Sequence, residues 1–233
     1  MNAPKRIPGM LSVVVPIHFL YPELDRVRAS IQRASTPVEV LLVTQEALKE
    51  SLGPLLPRET LIVTAKQGRG PVLAEGVREA HGDIIVFVHA DTILPDHWDH
   101  TIVDALRDEE VLGGGFSLSM DTPAAYLKLL IALTDFLYYV NGELWGDRAL
   151  FVRSSFIRQH LTEIEIPMME DVRLTLMMQR YGAVVLLKEK VVTSAATFRK
   201  YGFLRNSIRI ILVRLWYGAG RDPKKIYEYY YRR

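Results

Sequence analysis

The sequence contains no cysteine, and this absence excludes several kinds of chemistry at once. Thiol nucleophiles, disulfide bonds, iron–sulfur clusters and cysteine-ligated zinc all need the missing side chain. A metal ion in this protein must therefore be held by carboxylates or histidines. Nothing in the composition requires an oxidising compartment.

Long apolar segments are also lacking. The stretch 126–140 includes two charged residues, whereas a membrane span takes about 20 predominantly apolar residues, so we expect a buried or interfacial helix there. The apolar run 10–20 follows Lys5 and Arg6 as in a signal peptide, but Pro16 interrupts it and no small-residue cleavage site follows. We therefore do not expect export.

Several well-known catalytic motifs are missing as well. The sequence has no Walker A loop, no H-E-x-x-H and no G-x-S-x-G, so kinase, metalloprotease and α/β-hydrolase functions lose their support. Gly68 and Gly70 begin like a dinucleotide-binding fingerprint, but Leu73 occupies the third glycine position.

Charge is distributed unevenly along the chain. Residues 1–198 carry 19 Lys/Arg and 25 Asp/Glu, whereas residues 199–233 carry 10 and 2. A basic tail of this kind typically faces a membrane surface, a nucleic acid or a phosphorylated substrate, or else is a solvated helix face.

The first half of the chain alternates short β-branched runs with helix-like segments. We predict strands at 11–17, 38–44, 61–65 and 84–88. Helices are predicted between them, at 23–35, 47–52 and 71–80. Because uninterrupted apolar strands separated by helices favour a parallel sheet with right-handed crossovers, this half is predicted to be Rossmann-like.

The second half is less regular. Its predicted elements are a helix from Asp96, as N-cap, towards 110, a strand at 116–120, a helix at 124–140, a strand at 149–153, a helix at 167–182 and a strand at 183–187. Basic helices follow. Without an internal repeat or a long linker, we expect one α/β domain, 1–198, and a basic helical C-terminal arm, 199–233.

The first candidate site is His89-Ala90-Asp91-Thr92, directly after the buried run 84–88. In an open parallel sheet, ligands bind at the carboxyl ends of the strands, which places Asp91 on the rim of that crevice. A carboxylate there can hold a Mg²⁺ or Mn²⁺ ion that bridges diphosphate oxygens. Alternatively, Asp91 and Thr92 only begin a turn.

The second candidate site is the acid pair Glu170 and Asp171 at the start of a helix. In an apolar setting such a pair provides a general base, because burial and the neighbouring charge raise a carboxyl pKa. The structural alternative is that both acids favourably meet the helix dipole.

Two further groups are ambiguous. Arg148, in Gly146-Asp147-Arg148, either contacts a substrate phosphate or belongs to a simple turn before a strand. Lys66 and Arg69 are either solvated loop residues or contacts to a phosphate or a base.

Taken in order, these motifs resemble those of the family 2 glycosyltransferases with a GT-A fold. The matching segments are 13–16, 68–70, 82–92, 146–152 and 169–172. Their HADT, GDxxxFV and MEDV elements are similar to those of the small bacterial group described as radical-SAM/selenodomain-associated glycosyltransferases. The resemblance covers most of residues 11–198 and implies a mostly parallel, Rossmann-like sheet flanked by helices.

The resemblance also implies roles for individual residues. Asp91 matches the last acid of the DxD motif, which binds the metal and the nucleotide diphosphate, and Asp171 matches the catalytic base of the ED motif, supported by Glu170. The donor-binding residues implied are Pro16, Glu46, Arg69, His89 and Asp91. The acceptor side implied is Gly146, Asp147 and Arg148.

The sequence departs from the family pattern at two of these positions. His89 replaces the first acid of DxD, which leaves Asp91 as the one clear metal carboxylate. After the second strand, where relatives carry acids that read the nucleobase, this chain offers Glu46. The nucleobase and the dependence on Mg²⁺ or Mn²⁺ are therefore left open.

The function expected from the resemblance is inverting transfer of a sugar from a nucleotide-diphosphate donor to an acceptor hydroxyl. The alternatives are a nucleotide-binding or scaffold protein with a degenerate GT-A site, and a nucleotidyltransferase. We expect no nucleic-acid partner.

The basic arm suggests where the protein acts. An apolar stripe in it, Leu204, Ile208, Ile211 and Leu215, has helical spacing. The stripe either lies on an anionic membrane, near a lipid-linked acceptor, or packs against the domain. The first alternative makes the protein cytoplasmic and peripheral on the inner face of the membrane.

Overall fold

Strands and helices alternate through the first half of the chain, as the sequence predicts. The computed structural model describes residues 7–122 and 124–231, so Lys5, Arg6 and the last two residues of the arm lie outside the described part. The elements of this half are β1 Ile7–Ile17, α1 Leu24–Gln32, β2 Val38–Thr44, a 3-10 helix Glu46–Leu52, β3 Glu59–Val63, α2 Arg69–Glu79 and β4 Gly82–Phe87.

The second half adds short strands and most of the helices. Its elements are β5 Thr92–Ile93, α3 Trp98–Ala105, β6 Val111–Met120, α4 Ala125–Asn141, a 3-10 helix Gly146–Arg148, β7 Phe151–Arg153, α5 Ser154–Gln159, α6 Leu161–Ile164, α7 Glu170–Met178, β8 Ala183–Thr193, α8 Ala196–Tyr201, α9 Phe203–Gly218 and α10 Pro223–Tyr231.

Within the described residues the strands form one eight-stranded sheet in the order β3-β2-β1-β4-β7-β6-β8-β5. The pairs β1/β2, β1/β4, β2/β3 and β6/β8 are parallel. The short strands pair antiparallel with their neighbours, β5 with β8 and β7 with β4 and β6. Ile17 pairs with Thr44, and Val14 with Phe87, so β1, β2 and β4 end at one edge. This edge is where the first candidate site was predicted.

The core lies on both faces of the sheet. Leu11, Val13 and Val15 of β1 pack on one face with α1 and α3, and Val14 packs on the other face with α2 and α7. Each of these side chains is fully buried, which stabilises the fold by about 1.5–3 kcal/mol per large aliphatic residue. The predicted parallel strands are confirmed, and β1, β2 and β4 are buried on both faces, whereas the edge strand β3 is partly exposed.

Some local predictions were wrong. The N-cap of α3 is His97, at φ 56°, and Asp96 instead lies 3.1 Å from the Arg33 guanidinium in an ion pair. The helix predicted from 167 begins only at Glu170, because Met169 adopts φ 66° and breaks the helical path.

The C-terminal arm joins the fold through a small apolar cluster. Met169 and Val172, at the start of α7, pack against Val213 of α9 and Ile226 of α10, all of them buried. The expected boundary at 198/199 falls inside α8. No helix in the described ranges is both long and apolar enough to cross a bilayer.

The predicted apolar stripe of the arm faces away from this cluster. Its four residues, Leu204, Ile208, Ile211 and Leu215, are all exposed, by 46–69%. The alternative in which this stripe packs against the domain is therefore wrong, because a different face of α9, around Asn206 and Val213, makes that contact.

Candidate functional site

A pocket of about 240 Å³ lies where the chain leaves β4 and where α2 and α7 begin. Residues from distant parts of the chain, from α2 to α10, line it. Six of the residues predicted from the sequence line it: Arg69, His89, Asp91, Gly146, Asp147 and Asp171.

Glycine allows the start of α2 to approach the segment before α7. A Cβ atom on Gly70 would lie 2.1 Å from the Ile164 carbonyl oxygen, so no larger residue fits without movement. A Cβ atom on Gly68, at φ 89°, would lie 2.5 Å from the Pro167 Cα, and the Pro167 carbonyl accepts a 3.0 Å hydrogen bond from the Arg69 amide. This close packing carries the Arg69 side chain into the pocket.

The Arg69 guanidinium connects three of the predicted site residues. Its Nε donates to Glu170 Oε1, its Nη2 donates to Asp171 Oδ2 at 2.8 Å, and its Nη1 lies 3.4 Å from His89 Nε2. Burial alone would lower the pKa of Arg69, but the charges of Glu170 and Asp171 raise it above its usual value. Arg69 therefore stays a cation throughout the working pH range.

The Asp171 carboxylate is fixed from three directions. Its Oδ2 also accepts from the Gly146 amide at 2.8 Å, and its Oδ1 accepts from the Val172 amide at 2.8 Å. A Cβ atom on Gly146 would lie only 2.9 Å from His89 Nε2, so glycine is what permits the backbone to come this close. A carboxylate can accept about four hydrogen bonds, which leaves Asp171 able to receive one from a substrate hydroxyl.

Burial also changes the protonation of two neighbours. Burial, together with the charge of Asp171, raises the pKa of Glu170 to about 7 against the opposing charge of Arg69. Burial and the Arg69 charge lower the pKa of His89 to about 3, so its imidazole is neutral at pH 7. His89 thus replaces the anionic first acid of DxD by a neutral group.

Two carboxylates in the same pocket fit a hard cation. Burial and the charge of Asp147 raise the pKa of Asp91 to about 6, and burial raises that of Asp147. Within the described ranges, Asp147 Oδ1 is buried without a hydrogen-bond partner, and no group of three or more ligating side chains is assembled. A Mg²⁺ or Mn²⁺ ion held by these two acids would complete its shell with diphosphate oxygens and water.

Comparison with known proteins agrees with this geometry. The sequence model of glycosyl transferase family 2 matches residues 12–157, more than half of the chain. The chain belongs to glycosyl transferase family 2. A search of curated protein sequences found no match.

Solved structures agree with the GT-A fold expected for the family. The crystal structure of S. aureus TarS 1-349 has a TM-score of 0.55 at 14% identity, and the alignment covers 88% of this chain and 65% of that one. The TarS complex with UDP-GlcNAc has a TM-score of 0.54 at 15% identity, covering 79% and 58%. This chain thus spans less than two thirds of the TarS chains it matches.

Four residues expected at the family 2 site are not in the pocket lining, and one of them, Glu170, lies directly behind it on Arg69. Pro16 is buried at the end of β1, and Glu46 is exposed beyond β2, with its carboxylate 3.6 Å from the Lys49 ammonium. Arg148 is buried, and its guanidinium donates to Asp135 Oδ1 at 2.6 Å. Arg148 therefore ties the 146–148 turn to α4.

Other charged groups near the site pair with one another. The Lys66 ammonium lies 3.1 Å from Glu75 and 3.2 Å from Glu165. Glu75 is thereby part of a surface ion-pair network.

Residues of the C-terminal arm also line the family 2 pocket, which sequence reasoning missed. Asn206 and Ile210 of α9 and Tyr230 of α10 contribute to its wall. Beside Tyr230, burial raises the pKa of Tyr231 to about 12 against the opposing charge of Arg69. The tyrosines at 227–231 are visible in the sequence, but nothing in their spacing indicates that they face this pocket.

Proposed function

We propose that this family 2 protein transfers a sugar from a nucleotide-diphosphate donor to an acceptor hydroxyl, with inversion at the anomeric carbon. The observation that carries the proposal is the Asp171 carboxylate, fixed at 2.8 Å by Arg69 and by the Gly146 amide in the same pocket as Asp91. TarS has been crystallised with UDP-GlcNAc, which makes UDP-sugars the first donors to test.

In the proposed reaction the acceptor oxygen forms a bond to the anomeric carbon. The bond from that carbon to the diphosphate oxygen breaks, and the nucleoside diphosphate leaves with the electron pair. Asp171 takes the proton of the acceptor hydroxyl as general base. Arg69 and the Gly146 amide hold the carboxylate in one orientation, and Glu170 shares the Arg69 charge with it.

The departing diphosphate needs positive charge close to it. Asp91 and Asp147 would hold a Mg²⁺ or Mn²⁺ ion, which would neutralise charge on the leaving group. Arg69 is the nearby protein cation on the donor side. His89, being neutral, adds no repulsion to an incoming diphosphate.

The finer assignments follow from the motifs and from the arm. The HADT, GDxxxFV and MEDV elements support membership of the radical-SAM/selenodomain-associated group. The exposed stripe and the basic arm support peripheral attachment to an anionic membrane, at its cytoplasmic face, near a lipid-linked acceptor.

Nucleotide release from a panel of nucleotide sugars, with and without Mn²⁺, tests the proposal. We expect one nucleoside diphosphate to be released in a Mn²⁺-dependent manner, and release to be lost in Asp171→Asn. Binding without release would favour a degenerate binding protein. Release of pyrophosphate from a nucleoside triphosphate and a sugar phosphate would favour a nucleotidyltransferase.

A further inference from the structure

An apolar groove of about 440 Å³ runs between α4 and α9, beside the reaction pocket. Leu118 and Met120 of β6 belong to its lining, as do Ile131 and Leu133 of α4 and Ile211 of α9. Its volume is in the range of small-molecule sites, about 300–1,000 Å³.

Side-chain contacts join the two walls of the groove. The rings of Tyr126 on α4 and Phe203 on α9 lie 4.3 Å apart between centroids. In the lining, Arg214 Nε of α9 donates at 2.6 Å to Oε1 of the buried Glu143, which lies just after α4. An aromatic contact and an ion pair thus hold the two walls together.

The groove is continuous with the reaction pocket. The two cavities share five lining residues: Met120, Trp145, Asp147, Phe198 and Ile210. A molecule lying in the groove therefore has its inner end next to the pocket that contains Asp171.

Exposed apolar side chains lie on the two helices that form the groove. On α4 and α9 these are Leu129, Leu133, Phe136, Tyr139, Val140, Leu204, Ile208, Ile211 and Leu215. The exposed cations Lys128 and Arg205 lie on the same two helices. A large exposed apolar area marks a contact with a membrane or a protein, and neighbouring cations favour an anionic surface.

We propose that the groove holds the hydrocarbon chain of a membrane amphiphile whose hydroxyl is the acceptor at Asp171. This inference rests on the proposed function, and it names the class of acceptor. The mouth faces the lipid, so the chain enters from the bilayer and the head reaches the pocket. The sugar's anomeric carbon then bonds to the head-group oxygen, the nucleoside diphosphate leaves, and Asp171 takes the hydroxyl proton.

A second copy of the chain fits this surface less well. In a two-fold dimer the same patch meets itself, so the basic arm, with 10 Lys/Arg against 2 Asp/Glu, would face its own positive charge. A copy seated there would also cover the mouth of the groove. An anionic bilayer can contact the exposed apolar side chains with its hydrocarbon and attract the basic arm with its head groups.

The test measures binding of n-alkanols, from hexanol to decanol, by displacement of 11-(dansylamino)undecanoic acid from the full chain. We expect affinity to rise about fourfold for each methylene, because each one leaves water for the groove. Ile211→Trp and Leu133→Trp fill the groove from opposite walls and should lower decanol affinity at least about tenfold.

Two matched variants serve as controls. Ile208 is 48% exposed on the same helix as Ile211, which is 46% exposed, but it lies outside the groove lining. On α4, Leu129 is exposed and lies outside the groove lining, whereas Leu133 belongs to it. Ile208→Trp and Leu129→Trp should keep decanol affinity within about twofold of the original.

The same four variants are titrated with nucleoside diphosphates and Mn²⁺ by calorimetry. Nucleotide binding without chain-length-dependent alkanol binding would overturn the groove proposal and leave the transferase proposal standing. An equal loss of decanol affinity in the groove-filling and the control variants would also overturn it. So would a stable dimer of the original protein that Ile211→Trp dissociates. Alkanol binding in a protein that binds no nucleotide would instead remove the acceptor role.

Discussion

At the scale of single residues, Asp171 carries the chemistry because three donors fix its carboxylate in the pocket. Asp171→Asn keeps the size of the side chain and removes its ability to take a proton. General-base assistance contributes about 10²–10⁴-fold, so we expect turnover to fall by that factor with donor affinity little changed. Steady-state kinetics and calorimetry measure the two quantities, and near-normal turnover would refute the role of Asp171.

Asp91 should act on the donor rather than on the acceptor. Asp91→Ala removes one of the two carboxylates that fit a divalent ion, so we expect Mn²⁺-dependent nucleotide affinity to fall while the melting temperature stays near that of the original protein. Titration with and without Mn²⁺ checks this. An unchanged affinity in a normally melting variant would contradict the assignment.

Glu170 should make stability depend on pH. Its pKa is raised to about 7, so between about 4.5 and 7 the folded state binds a proton that the unfolded state has lost. That stabilisation is complete below pH 4.5 and is lost as pH rises through 7, by up to about 3 kcal/mol. We expect the unfolding free energy of Glu170→Gln, measured by chemical denaturation, to change less with pH between 4.5 and about 7 than that of the original protein. Parallel curves for the two proteins would show that Glu170 does not titrate there.

The sequence predicted many of the site residues because they follow buried strands or begin helices. Asp91 directly follows the run that ends β4, and the Glu170-Asp171 pair begins α7, so both could be placed at the sheet edge. Asn206 and Tyr230 could not, because they come from distant helices whose packing depends on which face of α9 meets α7.

At the scale of elements, the start of α2 depends on Gly70. A Cβ atom there would overlap the Ile164 carbonyl, and backbone cannot move aside as a flexible side chain can. We expect Gly70→Ala to cost about 1–3 kcal/mol of unfolding free energy or more, and to lower activity by displacing Arg69. Chemical denaturation and kinetics measure these effects.

Gly218 supplies the matched control for that change. It is the last residue of α9, and an added Cβ would meet only the terminal Nη1 of Arg214, at 3.0 Å. Gly218→Ala should therefore leave stability unchanged or raise it by up to about 1 kcal/mol. Equal effects of the two substitutions would show that crowding at α2 is not the cause.

Element prediction succeeded where burial produces a clear pattern. The strands β1, β2 and β4 are mostly apolar and buried, so their positions could be predicted from the sequence. The prediction for β8 stopped at 187, whereas the strand continues to Thr193 through the exposed residues 188–190, which carry no apolar signal. Tertiary pairing with β6 supplies the information that local sequence lacks.

At the scale of the whole molecule, one side of the C-terminal arm packs into the core and the other side is exposed. Val213 and Ile226 are fully buried and Asn206 lines the pocket, so removing residues 199–233 would damage the fold and the site together. Point changes on the exposed stripe isolate its contribution. Leu204→Gln with Ile208→Gln leaves the buried face of α9 intact.

The double variant tests membrane attachment directly. Burying one Leu or Ile side chain contributes about 1.5–3 kcal/mol, so losing two should lower partitioning onto liposomes by at least about tenfold. We expect the original protein to sediment with anionic but not neutral liposomes at low salt and to be released as salt screens the basic arm. Equal sedimentation of the double variant and the original would show that charge alone holds the protein there. If the original protein stayed in the supernatant with both lipids, the exposed stripe would have no role at a membrane, because its apolar side chains are already free to meet one.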